Sequence, residues 1–136
     1  MRNIFLLSLS LCTLISCSKD KDETNKYPLN GTYSGTFKRY NQPEDKTAAV
    51  SLEFNKNTWS GNSNFAKYPA LNQGTYTMND VDALIFKNTS PWTADFDWTF
   101  ILDGMYILHL NGDSLIFTKS YGNGAVDVYK LKKQAQ

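Results

Sequence analysis

From Tyr27 onward the apolar residues of this chain recur with a period of two, and that alternation points to a β-sheet protein. The cleanest run is 47–54, where Ala48, Val50, Leu52 and Phe54 alternate with Ala49, Ser51 and Glu53. No long segment carries the 3.6-residue period of an amphipathic helix. Gly, Asn, Asp, Ser and Pro interrupt the alternation at short intervals. Strands are predicted at 31–40, 47–54, 58–62, 74–78, 83–87, 96–102, 105–110, 114–121 and 125–131.

The last third permits a register to be derived. Around Asp103-Gly104 a two-residue turn would pair Leu102 with Met105, whereas a three-residue loop with a left-handed Gly104 pairs Ile101 with Met105 and Trp98 with Leu108. The second gathers Phe96, Trp98, Phe100, Tyr106, Leu108 and Leu110 on one face and is preferred, because a one-residue slip would put half of these residues in water. Asn111-Gly112 is a type I′ hairpin signal, pairing Leu108 with Leu115 and Tyr106 with Phe117. Eight or nine short antiparallel strands in a meander suit an up-and-down barrel, which removes its own edges. A two-sheet sandwich is the alternative.

The first 27 residues read differently. Arg2 gives a short basic start, 4–15 is apolar apart from Ser8, Ser10 and Thr13, and the run ends in Leu14-Ile15-Ser16-Cys17. It is too short to span a hydrocarbon core of about 30 Å, but it suits a signal peptide. Leu-Ile-Ser-Cys looks like the lipobox of bacterial lipoproteins, and that resemblance implies cleavage before Cys17 and acylation of its thiol and amine. Two or three acyl chains anchor stably where one does not. Residues 18–26 are polar and charged, so 17–27 is expected to be a flexible tether. Its Lys/Asp/Glu mixture resembles the surface-export signal of some gram-negative lipoproteins. Ser18 stands where the inner-membrane retention signal has Asp. The expected location is therefore the cell outer membrane, with display in the outer leaflet.

Three units follow: a signal peptide at 1–16, the tether at 17–27, and a β-domain at 28–133. Gly31-Thr32-Tyr33 is similar to the Gly-x-Trp that opens the first lipocalin strand, with Tyr33 in place of the tryptophan. Lipobox and compact meander together resemble the lipocalin-like (calycin) lipoproteins of gram-negative bacteria. The resemblance implies a small barrel, without enzymatic activity, that binds a ligand at the outer membrane.

The chemistry visible in the residues is sparse. With Cys12 lost in the signal peptide and Cys17 committed to lipid, the domain has no disulfide and no thiol nucleophile. The chain has 14 Lys and Arg against 13 Asp and Glu, so without Arg2 the balance is 13 to 13. That neutrality, with no basic run, argues against a nucleic-acid partner. The single histidine, His109, is predicted to face outward and has no second histidine beside it for a metal site or a base. Asp95 and Asp97 flank Phe96 and read as solubilising charges. Asp80 and Asp82 supply too few oxygens for a calcium loop. No catalytic residue, metal or cofactor is expected.

Aromatic residues are the remaining candidates. Tyr33, Trp59, Tyr76, Trp98 and Tyr106 are the expected walls of a cup for an apolar or sugar-like ligand, or else they simply fill the barrel. Trp92 follows Pro91 in a polar loop, where it either caps a barrel end or meets a partner. Ile101, Met105, Ile107 and Ile116 are predicted to project outward on adjacent strands, as a surface for a homodimer or another protein unless the 61–73 loop covers it. A filled barrel with an exposed aromatic loop would favour a protein-interaction module, either an inhibitor or an accessory subunit of a surface complex.

Overall fold

The computed structural model describes residues 29–79 and 82–136. The expected signal peptide, lipidated Cys17 and tether fall within residues 1–28 and, like Asp80, lie outside the described residues.

Eight antiparallel strands follow one another as neighbours and close on themselves, β8 pairing back with β1. They are β1 (Gly31–Tyr40), β2 (Thr47–Asn55), β3 (Thr58–Ser63), β4 (Gln73–Met78), β5 (Ala83–Asn88), β6 (Gly104–Asn111), β7 (Ser114–Ser120) and β8 (Val126–Lys133). This is an all-β, closed up-and-down barrel, consistent with a small calycin-like barrel; the sandwich alternative falls away. Alternation sets the faces: Tyr33 and Phe37 of β1, Ala48, Val50, Leu52 and Phe54 of β2, Leu115 and Phe117 of β7, and Tyr129 and Leu131 of β8 are all buried.

Ring contacts run through the interior without a break. Tyr68 packs on Phe37 (centroids 5.2 Å apart), Phe37 on Tyr129 (4.7 Å), Tyr129 stacks on Phe117 (4.4 Å, 16°) and Phe117 meets Phe86 (5.3 Å). Phe86 touches Trp59 (5.6 Å), and Phe54 links Tyr76 (5.0 Å) to Tyr33 (5.7 Å). An eight-stranded barrel is just wide enough for its side chains to fill it, and aromatic rings take up that space here. At Gly35 the β1–β8 seam closes tightly: a Cβ there would sit 2.0 Å from the Lys130 carbonyl oxygen, so only glycine fits.

Two features of the predicted meander are corrected. Residues 96–102 form no strand: Trp98–Phe100 is a single 3-10 turn whose N-cap, Asp97, accepts a hydrogen bond from Thr99 N. Its place beside β6 is taken by β5, with Leu84 opposite Tyr106 and Ile85 opposite Met105. Gly104 is left-handed as expected (φ 84°), but it opens β6 instead of closing a hairpin. The second correction concerns the β6–β7 turn, whose central residues are Gly112 and Asp113, with Asn111 paired to Ser114 and Leu108 to Phe117. Gly112, at φ 55°, then occupies the first central position of a two-residue loop, where a positive φ favours glycine. Because the pairing moved by two, Tyr106, Leu108, Leu115 and Phe117 keep their inward face.

The two ends differ. At one, tight turns join β2 to β3 and β6 to β7. Leu29 is buried there, and its carbonyl and that of Lys56 lie within hydrogen-bonding distance of the Tyr76 hydroxyl (3.1 and 2.7 Å). The described chain begins at this end. The other end carries the long connections 41–46, 64–72, 89–103 and 121–125.

Candidate functional site

The looped end is organised by one inward-facing ion pair. Arg39 follows Phe37 by two residues and Asp127 precedes Tyr129 by two, so period two turns both charges into the barrel, and the β1–β8 register places them directly opposite each other. Arg39 Nε donates to Asp127 Oδ1 (2.6 Å) and Nη2 to Oδ2 (2.8 Å), a bidentate pair. The two residues are only 4 % and 1 % exposed. The guanidinium carbon lies over the Phe100 ring, 3.7 Å from its centroid, and 4.8 Å from that of Tyr121. Burial and then the Asp127 carboxylate push the Tyr121 phenol well above its ordinary value, so it remains a neutral hydroxyl, 2.9 Å from Asp127 Oδ2 and 3.0 Å from the Thr99 carbonyl.

The outer edge of this pair reaches into the loops. Arg39 Nη1 donates to Thr99 Oγ1 (2.7 Å) and Nη2 to the Thr99 carbonyl (2.9 Å), which pins the 3-10 turn over the barrel mouth. The same turn is tied to the 64–72 connection: Ala70 N donates to the Phe100 carbonyl (2.9 Å) and Leu102 N to the Ala70 carbonyl (3.3 Å). Tyr68 enters the mouth as a plug, its hydroxyl donating to the Lys46 carbonyl (2.9 Å). Partial burial works against the Asp97 carboxylate, but hydrogen bonds from Thr99 and the charge of Arg39 hold its pKa below the ordinary value. A cleft of about 290 Å³ opens here, lined by Arg39, Glu44, Tyr68, Asp97 and Phe100 among others.

Above the turn, 89–98 forms an aromatic tip. Trp98 is 56 % exposed, and its indole N–H donates to the Thr93 carbonyl (2.9 Å). Trp92 is half-buried, donates to Asn88 Oδ1 (3.0 Å) and meets Phe96 edge-on (5.8 Å). Lys67 reaches across to Asp95 (2.7 Å) and lies over the Phe96 ring. The Lys67 ammonium first, and then the Thr93 hydroxyl, hold Asp95 down to about 2, against an ordinary 3.8. A carboxylate whose pKa is lowered by folding supports the fold above its unfolded pKa and loses that support as pH falls through the folded one. The Lys67–Asp95 clasp is therefore expected to release between about pH 4 and pH 2, followed by the Asp95 carboxyl carbon resonance and Trp98 emission. In Lys67→Met the Asp95 midpoint should return toward 3.8; an unchanged midpoint would show that the clasp does not form.

The candidates from the sequence separate cleanly in space. Tyr33, Trp59, Tyr76 and Tyr106 are buried among one another's neighbours in the ring-packed interior. Trp98 is corrected: it lies outside the barrel, because a 3-10 turn sends it to solvent while Phe100 turns back inward. Ile101 is corrected as well. It is 9 % exposed and bridged to Ala70, so it belongs under the 64–72 connection and not on an outer row. Met105 (62 % exposed) and Ile107 (57 %) do project outward on β6, and Ile116 is half-buried on β7. His109 is exposed on the outer wall of β6. Among the described residues no three His, Cys, Asp or Glu side chains converge as a metal site would require. Arg39 and Asp127 were missed, although the period-two pattern around Phe37 and Tyr129 already pointed both inward.

No protein-family model, curated protein or solved structure matches the chain.

Proposed function

We propose that this protein is a non-enzymatic, lipid-anchored interaction module of the outer membrane, and that its looped end is the surface that meets a protein partner. The observation carrying this reading is Trp98: a large aromatic side chain, more than half exposed, on a turn that Arg39 and Asp127 hold rigidly over a filled barrel. Exposed tryptophans are favoured anchors of protein interfaces, and a braced loop loses less conformational freedom on binding. A small apolar ligand inside the barrel would have to displace packed rings, so the interior supports the cup reading less well. The polarity of the barrel also fits. A tether from Cys17 would join at the end with the tight turns, directing the looped end away from the membrane.

The test is photo-crosslinking in cells that make the protein. Benzoylphenylalanine at Trp98 is expected to give a discrete adduct, and the same probe at Lys132, exposed near the opposite end, none. Trp98→Ala should change stability by less than about 0.5 kcal/mol, as for an ordinary surface substitution. No adduct at position 98, together with a melting temperature raised by a lipid or other small apolar compound, would move the function to the interior.

A further inference from the structure

The outer wall of the barrel is divided in its chemistry. On β5–β8 the outward positions include Ile85, Met105, Ile107, Val128, Lys130 and Lys132. On β2–β4 every outward position except Ala49 and Glu53 is Ser, Thr, Asn or Gln. A soluble surface usually carries about 25–35 % charged residues, so a wall this wide with a single carboxylate is unusual. It is also concave. A cleft of about 420 Å³ between β3 and β4 and one of about 280 Å³ between β2 and β3 share Glu53, Ser60 and Gln73. They exist because β3 and β4 pair over only three rungs, Thr58–Ser60 with Gln73–Thr75, before the strands part.

These polar groups are unspent. Among the described residues, the exposed side chains of Glu53, Ser60 and Gln73 make no hydrogen bond within the chain. The lining offers a ladder of hydroxyls and amides on strands about 4.8 Å apart, which can donate and accept alternately. Short side chains on rigid strands lose little rotamer freedom when a ligand binds. Glu53 supplies one charge-assisted acceptor for a pair of hydroxyl groups. The clefts have no cation to meet a phosphate or sulfate and no exposed apolar floor for a lipid or peptide. A ligand that is uncharged, polyhydroxylated and extended satisfies all of these conditions.

From this we infer that the joined clefts on the outer face of β2–β4 bind a neutral oligosaccharide chain, at a site separate from the looped end. The experiment is an amide chemical-shift titration of the full chain with α- and β-linked neutral hexose oligosaccharides, with heparin as a charged control. Saturable shifts are expected at Ser51, Glu53, Ser60 and Gln73 with at least one neutral chain, and none there with heparin. Glu53→Gln and Gln73→Ala should each weaken that binding about tenfold, the effect of losing one good hydrogen bond, with melting temperature unchanged. Trp98→Ala should leave it intact, which separates this site from the interaction surface. Absence of saturable shifts at these four residues with every neutral chain would overturn the inference. So would binding that ignores both cleft substitutions.

Discussion

Asp127→Ala is expected to cost about 3–5 kcal/mol, because it leaves the permanent charge of Arg39 buried without its counter-ion. For a domain of this size that is a fall in melting temperature of about 15–30 °C, and it removes a large share of a typical total stability. The origin of the cost can be isolated. Arg39→Leu combined with Asp127→Leu should return most of the loss, since a buried ion pair repays little more than its own desolvation. The double variant nevertheless loses the grip on Thr99, so amide exchange at Ile101 and Leu102 should quicken even where global stability is restored. If Asp127→Ala unfolds within about 1 kcal/mol of the parent in urea, the pair is hydrated and Arg39 does not brace the mouth.

Phe117→Ala is the second large effect, at about 3–5 kcal/mol. Its ring is fully buried against Tyr129, Phe86 and Tyr106, at centroid distances of 4.4, 5.3 and 5.4 Å. Strands on both sides fix the walls, so the site cannot collapse and a dry, apolar cavity should remain. Benzene is expected to enter it and raise the melting temperature of the variant, as apolar cavities of this kind accept small aromatics. The parent should not respond. A parent protein whose melting temperature climbs with benzene would show room inside the barrel and restore the cup as the favoured site.

The β-class, the eight strands that form and the inward faces of β1, β2, β7 and β8 were legible in the sequence, because burying one face of a pleated strand imposes a period of two. The strand at 96–102 was not. Phe96, Trp98 and Phe100 alternate with polar residues just as a strand would, but the Asp97 carboxylate competes for Thr99 N and tightens the chain into a 3-10 turn. That local hydrogen bond, together with the pairing of β5 to β6, reverses the fate of Trp98 and Ile101. The turn at 111–114 was displaced by one residue on each strand, a change to which the faces are blind. Arg39 and Asp127 each carried the right parity. Their meeting depends on β1 finding β8, and no local pattern announces which strands close a barrel.

That closure also gives the barrel an order of assembly. Arg39 and Asp127 are 88 positions apart, and the contact between first and last strand is the costliest loop to close and the slowest kind to form. Until β8 arrives, β1 is an open edge, and burying Arg39 would leave its charge without the Asp127 counter-ion. A chain without its final strand thus lacks the contact that completes the barrel, and β8 is the latch that closes it. Any cut that removes Val126–Lys133 would take away the latch and the counter-ion together, leaving a ribbon of aromatic strands with both edges free to pair with other chains.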